Sequence, residues 1–300
     1  MIKVKITGLN GFVGKNLIKN LDTKLFQVEN LNLRSVNWQS NIDINTTSII
    51  HLAGKAHDTK NTSNPKDYFN INTKLTHDLF DVFLASNCRD FIFFSSVKAV
   101  TDKADDIVTE ESINNPQTAY GQSKLYAEQY ILSKALPQGK RVFIIRPSMI
   151  HGPGNKGNLN LLFQLVSKGF PWPLGNFENQ RSFCSIDNLC FVLNEILQNE
   201  NIPSGIYNIA DDKPISTNEL ISLIAISQNK NENILRISKS LILSIAKLGD
   251  FFKLPFNSER LQKLTESYVV SNQKIVNVIG KPLPVKTEEG LLVTFKSFRK

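Results

Sequence analysis

The stretch KVKITGLNGFVG, residues 3–14, decides the fold. Lys3 to Thr7 alternates basic and apolar side chains and reads as a first strand, and Gly8, Gly11 and Gly14 follow it at GxxGxxG spacing. A turn this tight needs residues without side chains. The first reverses the strand, the second lets backbone approach a pyrophosphate at a helix N-terminus, and the third seats the helix on the sheet. A glycine triplet alone is a weak sign, and a purely structural turn is the alternative. Its position between a strand and a helix is the context that a dinucleotide site requires. The same alternation makes the N-terminus a strand and not a secretory leader.

Outward from this turn, short apolar runs alternate with longer helical stretches. A helix from about Phe12 is followed by FQVENLNL and SIIHLAG, then by a long helix through YFNINTKLTHDLFDVFLASN. DFIFFSS, the helix holding Tyr120, and RVFIIRPSMI come next. Strand and helix in alternation, with runs apolar on both faces, predict an α/β fold: a doubly wound parallel sheet of Rossmann type over residues 1–150. Beyond Ile150 the texture turns to clustered Gly, Pro and Asn (HGPGNKGN, KGFPWPLGNFENQRSF, PSGIYNIADDKPIS). Residues 151–300 are expected to form mainly a smaller substrate-binding lobe, with some segments returning to the first domain.

At 300 residues the chain can bury roughly three quarters of its unfolded surface. Its 41% hydrophobic and 21% charged residues are ordinary for a globular protein. The net charge of +8 is scattered among acidic residues, without the clustered Arg, Lys and aromatic residues of a nucleic-acid surface, so anionic metabolites are the expected partners. Cys88, Cys184 and Cys190 are an odd set without metal-ligand spacing, which points to a reducing compartment and no disulfide framework. His51, His57, His77 and His151 likewise lack metal spacing, and no metal is expected. SLILSIAKLGDFF (240–252) comes nearest to a membrane span, but Lys247 and Asp250 interrupt it. It reads as an amphipathic helix, docked on the core or attached to a membrane. No span is expected, and the expected location is the cytoplasm.

Three further motifs carry chemistry. The second strand should end in a carboxylate that grips the adenosine ribose, about 20 residues past the glycines. The residues there are Asn32, Leu33 and Arg34, and Glu29 falls too early. Arg34 suits the 2′-phosphate of NADP, and the lean is to NADP over NAD; the plain alternative is a surface Arg. DFIFFSS ends in Ser95 and Ser96, at the strand end that faces the ligand crevice in such sheets. Tyr120 and Lys124 stand four apart on the following helix, so phenol and ammonium share one face.

Glycine turn, strand-end serine and YxxxK in this order resemble the extended short-chain dehydrogenase/reductases, the nucleotide-sugar epimerases, dehydratases and ketoreductases. HLAG (51–54), NINTKLT with Asn72, RPSMIHGPG (146–154), RSFCSIDNL offset by Arg181, and GIYNIAD (205–211) extend the resemblance over nearly the whole chain. The second half looks most like bacterial surface-polysaccharide enzymes acting on UDP-N-acetylhexosamines.

The resemblance implies catalytic roles for Ser96, Tyr120 and Lys124, with Tyr120 exchanging a proton at the sugar O4 and Lys124 lowering the phenol pKa. It also implies a helix-bending, proton-relay role for Asn72. Gly8, Asn10, Gly11, Phe12, Val13, Gly14, Leu52, Ala53, Gly54 and Pro147, with Tyr120, Lys124 and Arg34, would hold NAD(P). Ser96, Tyr120, Asn158, Arg181 and Arg260 would hold a UDP-sugar. Many relatives continue the serine strand with Tyr-Gly, whereas this chain reads SSVKAVTD, and a shift of one residue would set Val97 at the hydroxyl position. Ser96 is chosen over Ser95. Members of the family often pair as homodimers through helices. The expected activity is reduction of the 4-keto group of a UDP-4-keto-6-deoxy-N-acetylhexosamine. The alternatives are a UDP-glucose or UDP-GlcNAc 4-epimerase and a non-catalytic NAD(P)-binding regulator.

Overall fold

The computed structural model describes residues 1–55, 64–155, 157–254 and 256–299; His57 and Lys156 lie outside them. Strand β1 (Ile2–Thr7) runs into helix α1 (Phe12–Asn20), followed by β2 (Phe26–Asn30) and β3 (Ser48–His51). The long helix is broken in the middle. Helix α2 (Pro65–Tyr68) passes through a π-helical segment, Phe69–Lys74, into α3 (Leu75–Ala85). Then come β4 (Asp90–Phe94), α4 (Ala119–Ser133), β5 (Arg141–Pro147) and β6 (Met149–His151). The second half contributes α5 (Asn158–Ser167), β7 (Phe183–Ser185), α6 (Ile186–Gln198), β8 (Gly205–Ile209) and α7 (Thr217–Ser227). It closes with α8 (Lys239–Phe251), α9 (Ser258–Thr265), α10 (Gln273–Ile279) and α11 (Thr287–Ser297).

The main sheet is parallel throughout, in the order β2-β1-β3-β4-β5-β8. Its central strands are apolar on both faces because both are covered. Ile50, Ile92, Phe94, Phe143 and Ile145 point to one core with Leu17 of α1, Leu189 and Ile196 of α6 and Ile275 of α10. The alternate residues Ile49, Phe91, Phe93 and Ile144 point to the other, with Leu79, Phe80 and Phe83 of α3 and Ala127 and Ile131 of α4. Period-2 alternation thus serves two cores, the arrangement of a doubly wound sheet of Rossmann type.

RVFIIRPSMI, read as one strand, is two. Proline has no N–H for a ladder and sits at strand ends; β5 stops at Pro147, and Met149–His151 pairs instead with β7 in a separate two-stranded ladder. A third core joins α5, α7 and α11 through Phe163, Ile224 and Phe295. A buried histidine ties these parts together: His151 Nε2 lies 3.0 Å from Asp211 and Nδ1 2.9 Å from Thr294, while the other Asp211 oxygen accepts from Ser185 N and Asn188.

Candidate active site

The glycine turn is built as its spacing predicts. Gly8 has φ +71°, and a Cβ there would lie 2.8 Å from the Ala53 nitrogen, so backbone meets backbone between the β1 and β3 ends. A Cβ on Gly14 would lie 2.4 Å from the Leu9 carbonyl oxygen. Gly11 caps α1 without a side-chain hydrogen bond, and the first turn holds no acidic residue. Gly8, Asn10 and Gly11 are exposed, with Phe12 and Val13 half-buried at the open N–H end of the helix. Uncapped N–H groups, no competing carboxylate and a side-chain-free approach fit a pyrophosphate.

Beneath the turn runs a chain of donors. Ala53 N donates to Thr7 Oγ1 (3.0 Å), which lies 2.7 Å from His51 Nδ1 and donates to it, because the other nitrogen of the neutral ring must donate to Thr76. His51 Nε2 then donates to Thr76 Oγ1 (3.0 Å), which donates to the Asn72 carbonyl (2.7 Å). His51 is a neutral linker: burial, with the Lys124 charge beside it, pushes its pKa down to about 3.

At the β2 end, Glu29 pairs with Lys5 and, at 3.2 Å, with Lys3. It is consumed there. Asn32 and Arg34 follow the strand on the surface, with Arg34 N donating to Asn32 Oδ1 (3.1 Å).

The two strand-end serines face different partners. Ser95 continues the Phe91/Phe93 side of β4, which α4 covers, and its hydroxyl bonds Glu128. Ser96 caps the short turn Val97–Ala99; its Oγ accepts from Lys98 N (3.2 Å) and hydrogen-bonds the Tyr120 phenol. Tyr120 opens α4, whose cap, Thr118, is held through its N–H and hydroxyl by Asp102 (2.9 Å each). Gly121 explains why that helix start lies so near the serine: a Cβ there would stand 2.4 Å from the Lys98 carbonyl oxygen and push the two apart.

Lys124 is buried, donates to the Phe94 carbonyl at 2.7 Å and lies 4.9 Å over the Phe93 ring. Burial lowers its pKa to about 8, with Glu128 opposing. Burial raises the Tyr120 phenol above its ordinary value, and the Ser96 hydrogen bond works the other way. Gly54 closes this corner, since a Cβ on it would be 3.2 Å from Lys124 Nζ and 3.0 Å from Asn72 Oδ1. Asn72, fully buried in the π-helical segment, accepts from Lys55 N (2.7 Å) and donates to the Lys55 carbonyl and Ser123 Oγ (3.0 Å each). Leu52 and Ala53 are half-buried beside it, and Pro147 is buried at the β5 end.

Two residues that sequence reasoning missed support this group. Glu128 stands at i+8 from Tyr120 and i+4 from Lys124, on one stripe of α4, and Arg146 of β5 bonds it through Nε (2.9 Å) and Nη2, both side chains 1% exposed. The i+8 spacing was visible in YGQSKLYAE; the partner on β5 was not.

The remaining predicted residues are spread out. Asn158 is exposed at the start of α5, after Gly157. Arg181 is largely buried, and burial lowers its pKa; its guanidinium donates to the Glu266 carbonyl (3.1 Å) and to that of Lys263 at the end of α9. Lys98 lies nearby, 4.0 Å over the ring of Tyr268, whose backbone bridges Arg181. Arg260 is exposed in the first turn of α9, its N–H bonded to the capping Asn257. Among the described residues no hydrogen bond or ion pair joins Asn158, Arg181 and Arg260 to one another, and no cluster of His, Cys, Asp or Glu could hold a metal.

Residues 4–210 match the NAD dependent epimerase/dehydratase family. The chain belongs to that family. Among relatives of this extended short-chain dehydrogenase/reductase, the UDP-glucose 4-epimerase of Vibrio cholerae is 30% identical over 98% of this chain and 95% of its own. The N-acetyl-alpha-D-glucosaminyl-diphospho-ditrans,octacis-undecaprenol 4-epimerase of Escherichia coli O157:H7 is 28% identical over 76% of this chain and 72% of its own. The structure of MoeE5 in complex with UDP-glucuronic acid and NAD shares the fold, with TM-score 0.77 at 20% identity over 99% of both chains. The glycine turn is the part of this family member whose geometry fits a pyrophosphate. No described helix is long and apolar enough to cross a membrane.

Proposed function

We propose that the protein carries out NAD(P)-dependent oxidoreduction at C4 of a UDP-linked sugar, reducing the 4-keto group of a UDP-4-keto-6-deoxy-N-acetylhexosamine. The observation that carries this reading is the Tyr120 phenol, hydrogen-bonded by Ser96, one turn from Lys124 and kept protonated by burial. A protonated phenol is a donor, which suits an oxygen that gains negative charge as a ketone is reduced. The bound dinucleotide supplies the hydride to C4. The Ser96 hydroxyl, which accepts from Lys98 N–H, has one proton to give and turns it from the phenol to that oxygen when the sugar is bound. Lys124 keeps a positive charge beside the phenol once it has given up its proton, and Glu128 favours that charge.

Gly8, Asn10, Gly11, Phe12, Val13 and Gly14 hold the pyrophosphate, while Leu52, Ala53, Gly54 and Pro147 line the nicotinamide half. Arg34 stands where a ribose-binding carboxylate would, which supports NADP, a coenzyme exchanged at each turnover. Asn158, Arg181 and Arg260 serve the substrate diphosphate. The second reading, a 4-epimerase, is favoured by the nearly full-length likeness to the Vibrio cholerae UDP-glucose 4-epimerase.

Absorbance at the reduced-nicotinamide band, read with NADPH and then NADH plus UDP-4-keto-6-deoxy-N-acetylglucosamine, tests the proposal. Stoichiometric oxidation is expected, and the product's C4 configuration names the sugar. No oxidation, together with NAD retained through gel filtration and interconversion of UDP-glucose and UDP-galactose, would establish the epimerase instead.

A further inference from the structure

Helix α8 carries two apolar faces, only one of which is used by the fold. Ile242, Ala246 and Gly249 face inward onto Trp172, Ile221 and Leu261. The seat is rigid, because a Cβ on Gly249 would stand 1.9 Å from the Phe256 carbonyl oxygen. Leu241, Ile245, Leu248 and Phe252 recur at i, i+4, i+7 and i+11, forming a second stripe that is exposed. Phe251 (80% exposed) closes the helix, and Phe252 (63% exposed) and Leu254 carry the apolar surface past its end. Buried apolar side chains explain an amphipathic helix; this second stripe they leave unexplained.

The charge around the stripe identifies what covers it. Lys239, Lys247 and Lys253 are exposed, and no ion pair joins them to a carboxylate among the described residues. Of the nearby acids, Glu259 is neutralised by Lys263, and Asp250, held by Ser258 N and Oγ, is a single carboxylate against the three lysines, so the rim is net positive. A second copy seated here about a two-fold axis would set this lysine rim against itself. Anionic lipid suits it, since Phe and Leu enter the headgroup boundary while lysine stems extend to the phosphates.

We propose that the α8 face, from Leu241 to Leu254, docks the protein in the plane of an anionic bilayer surface, without spanning it. Flotation with vesicles of phosphatidylcholine alone, and of phosphatidylcholine with phosphatidylglycerol, tests this on the full-length protein. The wild type is expected to float with the anionic vesicles only, and to be released by high salt. Phe251→Ser/Phe252→Ser and Lys247→Glu/Lys253→Glu should each lower partition about tenfold or more. These side chains are at the surface, so circular dichroism and turnover on soluble substrate should stay at wild-type values. Failure to float with anionic vesicles, or equal flotation with both compositions, overturns the proposal. So does a fall in gel-filtration mass on Phe251→Ser/Phe252→Ser, which would make a second copy the occupant.

Discussion

The two halves of the candidate site are built from different materials. Ser96, Tyr120 and Lys124 sit at the end of β4 and on one face of α4, the first and last buried and Tyr120 half-buried, above the buried group of Ser95, Glu128 and Arg146. Asn158, Arg181 and Arg260 stand on two helix starts and an irregular segment, and two of the three are exposed. On the proposed function, a proton would move between fixed atoms, which suits the half braced on regular elements, whereas a diphosphate can be gripped from several directions, which suits the half on looser supports. The contrast implies that changes in the buried half cost turnover or stability, while changes at the exposed end alter affinity.

The sharpest break would come from Tyr120→Phe, which removes the proton donor and leaves the ring. It should lower kcat by about 10²- to 10⁴-fold with coenzyme affinity retained; near-wild-type turnover would remove Tyr120 from the chemistry. Glu128→Ala strands Arg146 in the interior and should cost about 3–5 kcal/mol in chemical denaturation. A loss under about 1 kcal/mol would mean the frame does not depend on that pair. Acidification probes the same half through His51. Its folded pKa, about 3, lies below the ordinary 6.5, so between those values the unfolded chain binds a proton that the folded one does not. Stability should therefore fall as pH drops through this window, at about 1.4 kcal/mol per pH unit from this residue. His51→Asn should flatten the acid limb of a stability-against-pH curve by that slope, and an unchanged limb would contradict the neutral assignment. The smallest effect is expected at the surface: Arg34→Ala should weaken NADP by up to about fivefold more than NAD. Equal changes for both coenzymes would take away the reason for preferring NADP.

What could be read from the sequence follows how local each signal is. The glycine turn, the doubly apolar strands and the Tyr120–Lys124 spacing depend on neighbours within one or two elements, and each has the expected counterpart in the structure. The different partners of Ser95 and Ser96 needed one more fact, the face of β4 that α4 covers. The broken RVFIIRPSMI strand had its signal in Pro147, which a run of apolar residues on both sides concealed. Arg181 lies at the other extreme. Its guanidinium is occupied by carbonyls 82 and 85 residues away, where α9 ends, and no periodicity reports contacts of that reach. Burial of Tyr120 outweighing its Ser96 hydrogen bond is likewise a property of packing, invisible in spacing alone.

The sixth strand of the main sheet has a consequence for biosynthesis. β8 covers the outer edge of β5, yet the chain makes α5, β7 and α6 between Pro147 and Gly205 before supplying it. At translation rates of about 5–20 residues per second, a nascent chain carries the unpaired rim of β5, with Val142 to Ile145 beside it, for roughly 3–12 s. Open ladder groups flanked by β-branched and aromatic side chains are a template for pairing with another chain. Messages truncated between these points should yield products that aggregate or need a chaperone, whereas those reaching Ile209 supply the strand that closes the rim.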